Sequence, residues 1–193
     1  MKKYIGFMYL SVLLGSITFL QVNCSPDNPE SKEMTQTELI SRGEYLVEFG
    51  GCHDCHTPKK GFNEQGPIWD DERMLSGHPA NEQLPPVDTT SSWIHTNMTL
   101  TAWSGPWGIS YTANITPDGA TGIGNWTEEI FIKAMREGKH MGYGRPILPP
   151  MPWFSVKNLT DQDLKAVFSY LKSIKPISNK VPDPVSPDKM AQK

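Results

Sequence analysis

Apolar residues return every three or four positions in three stretches of the chain, and each stretch is bounded by helix start and stop signals. In the first, Thr37 to Phe49, residues Leu39, Gly43, Leu46 and Val47 fall at helical spacing, with Thr35 or Thr37 as the N-cap. The second runs from about Thr127 to Glu137. Asn125 or Thr127 caps it, Ile130, Phe131, Ala134 and Met135 are available for burial, and Gly138 ends it. The third opens at Thr160, followed by Asp161 and Asp163 in the first turn, where the positive end of the helix dipole favours carboxylates. Leu164, Val167, Phe168 and Leu171 make its apolar stripe, and Pro176 stops it.

Other stretches depart from this amphipathic pattern. Tyr4 to Leu20 is almost continuously apolar and follows Lys2 and Lys3; it is short for a membrane span and suits a signal peptide over residues 1–23. From His56 to Asn125 no period is sustained. That segment is long, rich in Pro and Gly, and aromatic, with Trp69, Trp93, Trp103, Trp107 and Trp126 in or beside it. A structureless stretch of this length has to fold onto something, either a large apolar group or a satellite core of its own. Pro182, Pro184 and Pro187 mark residues 177–193 as an extended tail.

These patterns divide the chain into a signal peptide (1–23), a polar Pro-containing tether (24–36), one domain (37–176) and the tail (177–193). Of the 193 residues, loss of the first 23 removes two lysines and moves the formal charge from −3 to −5. An acidic surface argues against nucleic acid as a partner and favours steering towards a basic patch on another protein.

Cys52-His53-Asp54-Cys55-His56 carries the chemistry. C-x-x-C-H is the spacing that attaches haem covalently: two thiols one helical turn apart add to the two vinyl groups, and the adjoining imidazole reaches the iron. A zinc site would need a second Cys or His pair, yet His78, His95 and His140 are scattered singly, and a thioredoxin-like dithiol would need alternating strands and helices around it. His53, between the thiols, is expected to be exposed. Three cysteines less the two haem thiols leave Cys24 without a disulfide partner. Placed after the apolar run, it resembles the lipidated cysteine of a bacterial lipoprotein, although Gln21 and Asn23 depart from the strict pattern, in which Leu and Gly or Ala are usual. Cleavage without lipidation, or an uncleaved anchor, are the other readings of this segment.

Iron that only passes electrons needs a second axial ligand, and a thioether is a soft choice that raises the potential. Among the methionines only Met151 sits in a rigid frame, Leu148-Pro149-Pro150-Met151-Pro152-Trp153, where prolines fix φ, remove donors and hold the loop extended. Met141 is the reserve candidate; Met98, His140 or an open site are further alternatives.

From Arg42 to Pro182 the sequence resembles bacterial monohaem cytochrome c proteins related to the cytochrome subunits of membrane-bound dehydrogenases. The stretches that carry the likeness are Gly50 to Pro58, Leu100 to Gly108, Ala113 to Asp118 and Arg145 to Trp153. The resemblance implies a mostly α fold, a class I cytochrome c-like domain with a long irregular Trp/Pro/Gly-rich insertion, in which the first and last helices cross at Gly43. It also implies one haem c per chain with His56 and Met151 as axial ligands. Gly66-Pro67 resembles the turn whose carbonyl accepts the proximal imidazole proton in small cytochromes. The Trp103 to Gly108 segment has no role in this reading.

The function expected is therefore extracytoplasmic electron transfer with redox partner proteins, on a bacterial membrane through a lipid on Cys24, and not catalysis. A haem enzyme, or a gas or redox sensor with an open or displaceable distal site, is the rival; the single C-x-x-C-H argues against the dihaem peroxidase type. Four Asn-x-Thr triplets, at Asn97, Asn114, Asn125 and Asn158, read as caps and turns rather than glycosylation sites.

Overall fold

The computed structural model describes residues 33–88 and 91–190. The expected signal peptide, Cys24 and most of the expected tether lie outside the described residues.

Helix α1 (Gln36–Phe49) begins one residue earlier than the periodicity predicts, because Thr35 rather than Thr37 is its cap. The Thr35 hydroxyl accepts the Glu38 N–H at 3.3 Å while the Glu38 carboxylate accepts the Thr35 N–H at 2.8 Å, a reciprocal capping box. Gly50 and Gly51, the latter at φ +64°, turn the chain into the one-turn helix α2 (Cys52–His56). The aromatic segment that follows is not structureless. A hairpin pairs β1 (Lys59–Asn63) with β2 (Gly66–Trp69), and a second antiparallel sheet has the order β3 (His95–Thr96), β4 (Ala102–Gly105), β5 (Gly108–Tyr111).

Each excursion is closed at its base by backbone hydrogen bonds. Asp70 N–H returns to the Pro58 carbonyl at 3.0 Å after the hairpin, and His78 N–H meets the Thr112 carbonyl at 3.0 Å on either side of the sheet. Between them Leu75 N–H donates to the Thr57 hydroxyl, and the Leu75 carbonyl accepts the Ile115 N–H, both at 3.0 Å.

Helix α3 (Glu128–Glu137) is capped by Thr127 and ends on Gly138 at φ +63°. A single turn, α4 (Trp153–Val156), precedes α5 (Asp161–Ser173), whose cap Thr160 accepts the Asp163 N–H at 3.1 Å. The apolar stripes of α1, α3 and α5 meet in one core: Val47, Phe131, Ala134, Met135, Leu164, Val167, Phe168 and Leu171, joined by Leu75 and Ile123 from the connecting chain. Phe131 and Phe168 pack with ring centroids 5.3 Å apart, and burying each contributes about 2 kcal/mol.

The crossing of α1 and α5 is the most extensive helix contact of the fold. A Cβ on Gly43 would lie 2.0 Å from the Ala166 carbonyl oxygen, so the close approach expected of this glycine is present. The tail is only partly extended. Val185 exchanges both backbone hydrogen bonds with Ile109 of β5, at 2.8 and 2.9 Å, and α6 (Pro187–Met190) adds one helical turn. Earlier in the tail, the Asn179 side chain ties Ser76 and His78 carbonyls at 2.7 and 2.8 Å. Among the described residues no helix is long and apolar enough to cross a membrane.

Candidate functional site

Helix α2 places Cys52 and Cys55 three residues apart, hence on one side of a single turn, with His56 as its last residue. Both sulfurs are half-buried free thiols. Burial first, then the neighbouring Asp54, Cys55 and Glu48, pushes the Cys52 thiol up to about 11, and burial raises Cys55 against the opposing charge of Lys59.

His56 is held by one ring nitrogen: Nδ1 donates to the Ala113 carbonyl at 2.7 Å, which fixes the ring and leaves Nε2 without that partner, available to a ligand. The His56 carbonyl in turn accepts the Gly77 N–H at 2.8 Å. Burial lowers the His56 pKa against the opposing Ala113 contact, a shift towards the neutral imidazole that can ligate a metal. Expectation and structure part at this contact. Gly66-Pro67 does not serve the imidazole; it forms the β2 side of the hairpin, paired with Asn63 and Phe62.

His53 is also corrected. It is buried, with Nδ1 2.9 Å from the Thr57 hydroxyl and its ring edge-on to Trp69, centroids 6.2 Å apart. Beside it lies a residue that no motif marks. Lys59 is 5% exposed, donates from Nζ to the Asp54 carbonyl within α2, and sits 5.0 Å above the centroid of Trp69, its cross-strand partner. A buried ammonium thus braces α2 from below, satisfied by a carbonyl and an aromatic face.

Met151 is half-buried and packs against the core cluster together with Cys52, Ile115, Trp126 and Ile147. Its loop is a turn rather than an extended strand, with a cis Pro149-Pro150 bond and α4 starting at Trp153. The reserve candidates lie on the 3₁₀ turn His140–Gly142: Met141 has φ +55° and accepts the Tyr143 hydroxyl at 3.9 Å, and His140 meets Trp126 edge-on at 5.3 Å. A covalently attached haem fits these residues. The paired thiols, an imidazole pinned through Nδ1, and a half-buried thioether among apolar side chains on the core supply the kinds of donor and lining such a group needs. Cys24 lies outside the described residues.

The Asn-x-Thr triplets act as turns and caps. Asn97 Oδ1 accepts the Thr101 and Ala102 N–H groups at 2.9 Å each, Asn114 Oδ1 accepts the Thr116 N–H at 3.0 Å, and Thr127 and Thr160 cap helices. Ala113, which orients the His56 ring, opens the Ala113 to Asp118 stretch, and no residue type marks it in the sequence.

Comparison with known proteins agrees with this construction. The family model described as cytochrome c matches residues 40–175. One of the subunits of the nicotinate dehydrogenase of Pseudomonas putida is 30% identical over 158 residues, covering 82% of this chain and 10% of that protein. The gluconate 2-dehydrogenase cytochrome c subunit of Pantoea cypripedii is 29% identical over 83% of this chain and 27% of its own length. The cytochrome c subunit of the quinone alcohol dehydrogenase of Gluconobacter oxydans is 32% identical over 75% and 24%. The chain thus spans between a tenth and about a quarter of the length of these relatives.

Proposed function

Since this chain belongs to the cytochrome c family, we propose that it carries electrons between redox proteins on the outer side of a bacterial membrane, through a single haem c ligated by His56 and Met151. Covalent haem c is the cofactor of the family, and Cys52 and Cys55 supply the thiols for it. When bound, its iron takes up and releases one electron at a time; the chain is a carrier and not itself a catalyst. The protein's own part is to hold His56 neutral and aimed through the Ala113 carbonyl, to bury the ring lining, and to present a thioether from the proline-framed loop.

The observation that carries this reading is the 2.7 Å contact from His56 Nδ1 to Ala113, which supports ligation through Nε2. Extracytoplasmic placement is supported by the apolar run after Lys2 and Lys3, and anchoring by Cys24 with its polar tether. The names of the relatives suggest a dehydrogenase as the electron donor.

The optical spectrum tests the ligands. Wild type should be low-spin, with the weak red charge-transfer band of methionine ligation in the oxidised state, and Met151→Ala should lose that band and turn high-spin. A Met151→Ala spectrum identical to wild type in both oxidation states rejects the assignment. Mass spectrometry of the native amino terminus tests the anchor, since an unmodified Cys24 or a terminus elsewhere removes it.

A further inference from the structure

The Trp103 to Gly108 segment acquires a role from its contacts. Gly105 and Gly108 face each other across the end of the β4–β5 hairpin, so Pro106 and Trp107 are the two residues of its turn. A Cβ on Gly105 would lie 2.6 Å from the Trp107 ring, and one on Gly108, at φ +97°, would lie 2.0 Å from the Val185 carbonyl oxygen. The two glycines therefore let the indole fold back over the hairpin on one side and the tail pack against it on the other. Folded back, Trp107 Nε1 is 3.2 Å from the hydroxyl of Ser110, and that hydroxyl is 2.6 Å from the Pro149 carbonyl oxygen.

The direction of this relay is fixed by chemistry. An indole N–H can only donate and a carbonyl can only accept, so the Ser110 hydroxyl accepts from Trp107 and donates to Pro149. Ser110 is 5% exposed, where a hydrogen bond has little competition from water. The receiving loop has few donors with which to fasten itself, because Pro149, Pro150 and Pro152 have no N–H to give. Among the described residues, the hydrogen bond reaching Leu148 to Met151 comes from Ser110.

We propose that Trp107 and Ser110 form a clamp by which the inserted hairpin holds the Met151 loop closed, making them positioning residues that decide whether the distal side of the haem is shut or open to exogenous ligands. This rests on Met151 as the axial ligand. An incoming ligand must wait for the loop to open, so its apparent affinity is its intrinsic affinity multiplied by the open fraction. Weakening the clamp raises that fraction. It converts a closed carrier towards the open-site behaviour of a sensor without touching Cys52, Cys55, His56 or Met151.

The experiment is imidazole titration of the oxidised, haem-loaded full-length protein, followed by the shift of the Soret band in every variant and, where Met151 is present, by loss of the methionine charge-transfer band. Ser110→Ala should bind imidazole about five-fold more tightly than wild type, the size that one net hydrogen bond confers. Trp107→Phe, which keeps a ring over Gly105 but removes the donor, should shift affinity in the same direction by a smaller factor, and Ser110→Thr should restore wild-type affinity. Unchanged imidazole affinity in both Ser110→Ala and Trp107→Phe overturns the clamp. Failure of the ligand assignment looks different: Met151→Ala itself would then bind imidazole no more tightly than wild type.

Discussion

Replacing Gly43 by alanine sets two opposing effects against each other at one atom. In an exposed helix the change is favourable by about 1 kcal/mol, because glycine has the larger backbone entropy to lose. At this crossing the new methyl would stand 2.0 Å from the Ala166 oxygen, 2.6 Å from its carbonyl carbon and 2.7 Å from Tyr170 Cβ. Two of the three are backbone atoms of α5, which no side-chain rotation can move aside, and ordinary contact begins about an ångström further out. The helices must therefore separate along the interface that buries Leu39, Val47 and Leu164. Overpacking of this kind costs about 1–3 kcal/mol, and a clash with backbone belongs at the upper end, about 3 kcal/mol, which less the gain of about 1 kcal/mol leaves a net loss of about 2 kcal/mol. For a domain of this size that lowers Tm by about 4–8 °C. Far-ultraviolet circular dichroism on heating the haem-loaded protein measures it. Ser41→Ala, an exposed position on the same helix, supplies the control and should leave Tm unchanged or slightly raised. A Gly43→Ala protein as stable as wild type would falsify the argument that the two backbones touch here.

Three further outcomes are expected. Lys59→Met keeps most of the stem but removes the ammonium from the Asp54 carbonyl and the Trp69 face; the denaturation midpoint should fall by the equivalent of about 1–2 kcal/mol, and an unchanged midpoint argues that the buried amine braces nothing. Asp70 is buried, which alone would raise its pKa, but Arg73 at 2.7 Å, the Glu72 N–H and Lys60 at 3.8 Å together hold it below the usual carboxylate value. Its contribution is therefore complete above about pH 4 and drains away as pH falls through the lowered native pKa. Asp70→Asn should accordingly be less stable than wild type at pH 6 and converge on it towards pH 2; a gap independent of pH contradicts the assignment. Finally, Cys52→Ala with Cys55→Ala should abolish haem colour on a denaturing gel, and a retained band would mean attachment elsewhere.

The parts of this molecule that are legible in the sequence are those whose signal lies in residue type at fixed spacing. The stripes of α1, α3 and α5, the caps Thr127 and Thr160 and the motif on α2 all fall in this class, and Gly43 is readable through the resemblance. The strands are not legible because they are short and mixed: Lys59-Lys60-Gly61-Phe62-Asn63 has neither alternation nor β-branched residues, and it is held by cross-strand bonds and by Lys59 on Trp69. The burial of His53 leaves no trace because a five-residue helix is too short for a buried face to repeat. Ala113 is invisible for a deeper reason. It acts through a carbonyl that every residue possesses, so only the path of the chain reveals it.

The two closed excursions between Pro58 and Thr112 make the insertion modular. Each leaves and rejoins the domain at a pair of backbone hydrogen bonds, Pro58 with Asp70 and His78 with Thr112, while the imidazole is set by what happens at the seam and not by what lies beyond it. Doubling the length of a closed loop adds only about 0.6 kcal/mol of closure entropy. Hairpins can therefore grow or shrink at these two bases while His56 keeps its orientation. In evolutionary terms the seam separates the part that sets the imidazole from the part that can change in length.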